Sequence, residues 1–312
     1  MAIITTANDT TTNKDLFKVG SLREIFDNTV RSANTYSSRL YKMEKTDLLT
    51  ERVLRMAGFG LAEEMVEGQN VPLQTPPVGT TKEYTQRFWG SGFRMTDIAD
   101  RYNKYKLWAK YAKSLGLVMT ETKDVELAVP FNSPTSTALT CGVGFDTMAI
   151  GNDAHTGLES ANTDDNYDNY LNAGMSYTSL SDARYYFKTI VDDRGLHMGA
   201  TPDVLYYEPT LHPTAVELTK SLNRAGEISN TTNDFIKGMG LELYEYPRLT
   251  STTAWGMGAT KDSNYDFHCY TALEPKTYTK DAPDNTLDKI MIARQDFTYG
   301  WGDPRLILIG KT

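Results

Sequence analysis

Residues 192–250 carry the pattern that leaves the fewest folds open. An Asp-Asp-Arg-Gly stretch (192–195) and a Thr-Pro-Asp turn (201–203) lead into the apolar run Val204-Leu205-Tyr206-Tyr207. β-Branched and aromatic residues favour a strand there, and Pro209 ends it because proline cannot donate to a ladder. Leu211, Ala215, Leu218 and Leu222 then fall at spacings of four, three and four, one face of a helix. Pro213 suits the first helical turn, where a missing N–H costs nothing, and Gly226 suits a stop. Residues 241–246 (Leu-Glu-Leu-Tyr-Glu-Tyr) alternate apolar and acidic, a half-buried strand closed by Pro247. The unit reads as strand, helix, polar loop, strand. It holds no nucleophile, phosphate loop or metal cluster, so it is a module for building rather than for chemistry.

Composition excludes several classes. The 312 residues allow one large domain or two of ordinary size. A hydrophobic content of 40% with 23% charged residues is that of a soluble globular protein. The net charge of −8 argues against tight nucleic-acid binding, which runs on clustered Lys and Arg, and against anchoring on anionic lipid. Nineteen tyrosines suit broad protein interfaces. Cys141 and Cys269 make no disulfide framework; two reduced thiols are expected of an intracellular product, and the sequence leaves their pairing open. The N-terminus lacks the charged and apolar regions of a signal peptide, and no run reaches the ~18 apolar residues of a membrane helix. Synthesis in a cytoplasm and no membrane are the expectations.

Along the chain, residues 1–20 form a polar, Thr-rich arm whose charges cancel up to Arg31, too neutral to condense nucleic acid. Residues 21–26 suit a short helix capped by Ser21 with Glu24 three residues on. Residues 47–56 suit a second, with Leu48, Leu49, Val53 and Leu54 on one side. Residues 64–93 read as a long two-stranded hairpin with a Thr-Pro-Pro-Val-Gly tip (75–79). On it, Tyr84, Gln86 and Phe88 share one face, and Glu83, Thr85 and Arg87 the other. An isolated hairpin is marginal in water, so this one folds back on its own core or lies on a neighbour. From Thr96, a cap followed by Asp97 and Asp100, the residues Met95, Ile98, Tyr102, Tyr105, Ala109, Ala112, Leu115 and Met119 recur at three and four. This predicts one helix of some 30 residues, tolerant of Gly116 and ending at Pro130, roughly 45 Å long. Its Tyr and Trp residues are a core and interface stripe rather than a base-stacking platform, which also needs a basic groove.

Residues 132–172 read as loops. The run 164–169 resembles a calcium loop at odd positions, but Asn169 stands where glycine is needed and Met175 where glutamate is. A helix begins near Ser179 with Leu180, Ala183, Tyr186, Phe187 and Ile190 as its face; residues 256–286 read as turns; 289–293 and 306–309 read as strands. His155, His197, His212 and His268 lack metal-ligand spacing, although an ordinary histidine titrates near neutrality and can sense pH. No nucleophile elbow, phosphate loop or dinucleotide fingerprint occurs. No catalytic, cofactor or metal residue is assigned, and the protein is not expected to be an enzyme.

Several of these motifs together resemble a known family. In order they are D-x-x-G (192–195), P-x-x-L (202–205), Pro209, L-x-x-x-A-x-E-L-x-x-S (211–221), P-x-L-T (247–250) with Trp255, and R-x-x-F-x-Y-G-x-x-D-x-R (294–305). This order resembles the major capsid proteins of tailed bacteriophages with the Hong Kong 97-type fold. The resemblance implies an α+β fold with an N-terminal arm and helices (1–60), an extended hairpin loop (61–95), and a peripheral domain with a spine helix (96–178). It further implies an axial domain (179–288) and C-terminal strands returning to the peripheral sheet (289–312). The loop would lie across an adjacent subunit, with Tyr84, Arg87, Phe88, Trp89 and Arg94 as contact candidates. The implied role is a shell of hexamers and pentamers around double-stranded DNA, assembled in the host cytoplasm and residing in the virion. Implied partners are further copies, a scaffolding protein, a portal protein and a decoration protein, with DNA touched weakly. No long scaffolding segment precedes Ser21, so a separate scaffold or prior cleavage is implied, and no Lys–Asn cross-linking pair is identified. An encapsulin-like cargo shell of the same fold and a carbohydrate-active enzyme are the alternatives.

Overall fold

The computed structural model describes residues 12–56, 58–59, 61–75, 78–102, 107–157, 166–221, 240–281 and 288–311. Expectations for the first eleven residues, Pro76-Pro77, Tyr105, the start of the calcium-like run, Leu222 and Gly226 lie outside them. The helices are α1 (Thr12–Ser32), α2 (Asp97–Arg101), α3 (Leu107–Asn132), α4 (Tyr177–Thr189) and α5 (His212–Lys220). The strands are β1 (Lys42–Lys45), β2 (Thr50–Met56), β3 (Val78–Thr85), β4 (Arg87–Met95), β5 (Tyr170–Leu171) and β6 (Val204–Tyr207). They continue with β7 (Glu242–Glu245), β8 (Trp255–Gly258), β9 (Phe267–Asp281), β10 (Lys289–Trp301) and β11 (Ile307–Gly310). Two compact units interleave along the chain, rather than following as consecutive segments. The first takes the described residues up to Thr35 with Gln86–Asp124 and Thr271–Phe297; the second takes Tyr36–Thr85, Val125–Tyr270 and Thr298–Thr312.

In the first unit, β4 and β10 pair antiparallel, Met95 opposite Lys289 and Arg87 opposite Phe297. Phe26 of α1 and Ala112, Leu115 and Met119 of α3 pack with Met291 and Ala293 of β10 to make its core. Gly116 has a reason for its place in a helix interior. A Cβ there would sit 3.1 Å from Thr29 Cβ and 3.2 Å from the Phe26 carbonyl, so the missing side chain lets α1 and α3 close up. Gln295 reaches across the same core, donating to the Met119 carbonyl at 2.8 Å.

In the second unit, the strand–helix–strand module is found as the sequence predicts. β6 is buried on both faces and runs parallel to β7, with α5 between them in the chain. The sheet order is β5-β11-β8-β6-β7. The core beside it is aromatic: Phe131 contacts Tyr206 at 5.4 Å edge-on and stacks on Phe267 at 6.2 Å, and Tyr41 meets Phe131 at 5.9 Å. Such pairs add stability beyond the area they bury. The α4 face Leu180, Ala183 and Phe187 is fully buried as predicted, but the cap is Ser176, whose side chain takes the Ser179 amide in a capping box.

Six expectations are corrected. Ser21 does not cap a short helix over 21–26 but lies inside α1, Thr12–Ser32. Residues 47–56 are not a helix: Thr50–Met56 is a strand, paired antiparallel with β3. The hairpin is therefore β2–β3 with a long connection, while β4 belongs to a different sheet, ordered β1-β9-β10-β4. The single helix from Thr96 is two, α2 and α3, with Ile98 and Tyr102 exposed, and α3 passes Pro130 to Asn132. Proline there removes one N–H from the last turn, where the loss is small. Residues 267–281 are a 15-residue strand rather than turns. β10 continues through Trp301, and the last strand, β11, joins β8 and β5 in the sheet of the module instead of the sheet of β4.

Candidate functional site

Two features of the second unit stand out. The first is the connection between β2 and β3. Residues 61–75 have no regular structure and every one of them is exposed. Leu61, Met65, Val66, Val71 and Leu73 point apolar surface at solvent, joined by Phe59 and by Leu54 near the end of β2. The segment carries Glu63, Glu64 and Glu67 and no Lys or Arg. Five large apolar residues are thus exposed within fifteen, interspersed with glutamates and other polar residues.

The second is what holds the base of that connection. Arg55, at the end of β2, makes a bidentate pair with Asp193, Nη2 to Oδ1 at 2.5 Å and Nε to Oδ2 at 3.1 Å. Arg305 Nη2 reaches the same Oδ1 at 2.6 Å, and its Nη1 lies 3.3 Å from Asp303. Arg55, Asp193 and Arg305 are all less than a tenth exposed. Burial works to raise the Asp193 carboxyl, but the Arg305 charge and the Arg55 hydrogen bond outweigh it and hold it below the usual range. Burial works to lower Arg305, but the Asp303 charge, with Tyr167 and Asp193 behind it, keeps it above its ordinary value. A cleft of about 580 Å³ opens over this cluster, lined among others by Lys42, Arg194 and Asp266. Its charges are balanced in pairs, which suits a structural clasp rather than a ligand.

The end of β3 alternates: Lys82 and Tyr84 are buried while Thr81, Glu83 and Thr85 are exposed, and Gln86 just after it is buried. Lys82 donates to the Trp301 carbonyl at 2.6 Å and lies 4.9 Å from the Tyr84 and Trp301 rings. Burial lowers this amine to about 8.

The five contact candidates do not share one surface. Tyr84 is 2% exposed and packs on Tyr270, inside its own unit. The alternation changes phase at Gln86, so Phe88, expected on the Tyr84 face, is 61% exposed. Trp89 stacks on Phe297 at 5.7 Å, and the Arg87 guanidinium lies over the Trp89 ring at 4.9 Å. Phe88 and Arg94, an odd number of residues away from Trp89, lie on the opposite face of β4. There Arg294 covers Phe88 at 5.0 Å, and Arg94 pairs with Asp288 at 2.8 Å. Sequence reasoning missed the apolar run at 61–75 because no periodicity marks it, although its lack of basic residues was visible.

The four histidines are dispersed, and Cys141 and Cys269 form no disulfide. Among the described residues no group of His, Cys, Asp and Glu is placed to hold a metal, and no helix is long and apolar enough to cross a membrane.

A family model described as phage capsid protein matches residues 79–309. No curated protein matches the chain. Among solved structures, the capsid of the cyanophage P-SCSP1u is similar with a TM-score of 0.61 at 11% identity, covering 89% of this chain and 88% of that one. The mature capsid of bacteriophage PhiM1 gives 0.57 at 14%, covering 89% and 87%. A virus-like particle from Pyrococcus furiosus gives 0.53 at 8%, covering 94% and 98%. At these identities the likeness is one of fold.

Proposed function

The chain belongs to the phage capsid protein family, and from that we propose that it is the major shell subunit, assembling as hexamers and pentamers into an icosahedral head around packaged double-stranded DNA. Its fold is the α+β Hong Kong 97-type architecture expected from the sequence. The observation that carries the finer reading is the exposed apolar segment 61–75, clasped at its base by Arg55, Asp193 and Arg305. A rigid base with an uncovered apolar end fits a loop that lies on a neighbouring subunit. Phe88, Arg87, Trp89 and Arg94 supply further contact candidates on β4, while Tyr84 serves the unit's own core. A scaffolding protein, a portal protein and a decoration protein are the proposed partners, with assembly in the host cytoplasm. DNA would be touched weakly, since the chain carries a net charge of −8.

A cargo shell is the second reading, supported by the likeness to the archaeal virus-like particle over 94% of this chain. The family match favours the phage head. Electron microscopy of the chain co-expressed with the neighbouring head genes tests both. Closed particles with five-fold and six-fold capsomers that fill with DNA support the phage head. Closed particles filled with protein support the cargo shell. A 34.9 kDa monomer alone overturns both.

A further inference from the structure

His155 is 0% exposed, and both of its ring nitrogens are engaged. Nδ1 lies 2.5 Å from Asp146 Oδ2, and Nε2 lies 3.1 Å from Asn169 Oδ1. The two partners fix the proton count. Asn169 Nδ2 donates to the Ile150 carbonyl at 2.8 Å and the Pro304 carbonyl at 3.3 Å, while its Oδ1 accepts the Asn152 amide at 3.0 Å. Those contacts settle the amide's orientation, so an oxygen faces Nε2. Asp146 Oδ1 accepts the Met148 amide at 3.1 Å. Burial works to raise this carboxyl, but the His155 hydrogen bond and charge bring it below the usual range, so a carboxylate faces Nδ1. Each ring nitrogen thus meets an acceptor, whereas a neutral imidazole has only one N–H to give.

We propose that His155 is a buried imidazolium that latches the C-terminal strand, and that loss of its proton loosens that strand. The connection runs through Asn169. Its side chain holds Pro304, and its backbone carbonyl accepts the Ile309 amide at 2.9 Å, next to the parallel pairing of β11 with β5. Without the proton, one nitrogen lone pair would face an oxygen lone pair inside a buried site.

Among the described residues, other groups also stand near the ring. Tyr167 stacks on it at 4.7 Å and hydrogen-bonds Asp303 at 3.1 Å; burial and the Asp303 charge push this phenol well above its usual range. Arg305 lies 5.1 Å from the Tyr167 ring, and Arg55 and Asp193 stand beyond it in the same cluster. Lys82 adds a positive charge felt by Asp146.

Histidine-selective ¹⁵N NMR of the full chain tests this, with the resonance assigned by removing His197, His212 and His268 in turn. The expected result is a ring with both nitrogens protonated at neutral pH. As pH rises through its titration, hydrogen-exchange protection of the Ile309 amide should fall by about tenfold or more. Asp146→Asn should move that step to lower pH. A neutral tautomer at neutral pH, or Ile309 protection unchanged across the titration, would overturn the proposal. Both readings come from the unmodified latch, so they stand even if Asp146→Asn fails to fold.

Discussion

Replacing Leu61, Val66, Val71 and Leu73 together with serine should abolish assembly without unfolding the subunit. Their exposures in the isolated chain are 71%, 73%, 67% and 95%. Full burial of such a side chain is worth about 1.5–3 kcal/mol, and roughly three quarters of that is still available to a neighbour. Each residue therefore offers about 1–2 kcal/mol on docking, and the four together offer about 4–8 kcal/mol per subunit. At about 1.4 kcal/mol per tenfold, the concentration needed for assembly should rise by at least about a thousandfold. Exposed substitutions of this kind change folding stability by about 0.5 kcal/mol or less each. Sedimentation velocity should show the particle boundary replaced by a monomer boundary, with an unchanged circular dichroism spectrum and melt. Particles at the wild-type concentration would refute the reasoning, because the segment would then be uncovered in the shell. An unfolded subunit would refute it differently, by placing the segment in the chain's own core.

Three further predictions concern the base of that loop and the charge balance. Lys82 sits folded at about 8 against an ordinary 10.5, so the unfolded chain binds the extra proton between those values. Stability should rise as pH goes from 8 to 10.5, and Lys82→Met should remove that rise while relieving a penalty of about 3 kcal/mol at neutral pH; a wild-type denaturation profile flat over this window would count against it. Asp193→Asn leaves Arg55 and Arg305 without their shared carboxylate and should cost about 3–5 kcal/mol by urea unfolding. The wild-type contribution should be present above the ordinary carboxylate range and fade as pH falls through the depressed Asp193 value, and a loss under 1 kcal/mol would show that the cluster is not a clasp. Fluorescence anisotropy with duplex DNA at about 150 mM salt should show binding weaker than about 10 μM, and nanomolar binding would contradict the charge argument.

What the sequence made legible was local. Val204–Tyr207 and the α5 face are set by a period and by prolines a few residues away, and both are found where the pattern puts them. What it hid depends on distant partners. Leu48, Leu49, Val53 and Leu54 fit a helix side, but β3, some thirty residues later, pairs with Thr50–Met56 and decides for the strand. Residues 267–281 form a strand with Pro275 inside it: β1 has four residues against fifteen in β9, so much of β9 has a ladder partner on one side only and can hold a proline. The clasp was invisible for the same reason: Arg55 and Asp193 are 138 residues apart, and Arg305 is 112 beyond Asp193. Phe88 was assigned to the wrong face because the one-residue break after Thr85, where Gln86 falls between β3 and β4, resets the alternation.

The claim that residues 61–75 bridge subunits is tested most directly by a photo-cross-linking residue in place of Leu73. Particles would be co-assembled from ¹⁵N-labelled and unlabelled subunits, and mass spectrometry would then sort each cross-linked peptide pair by isotope. The account predicts mixed-isotope pairs, because the reactive group sits against a different copy. Cross-links confined to pairs of a single isotope would place the segment on its own chain and contradict it.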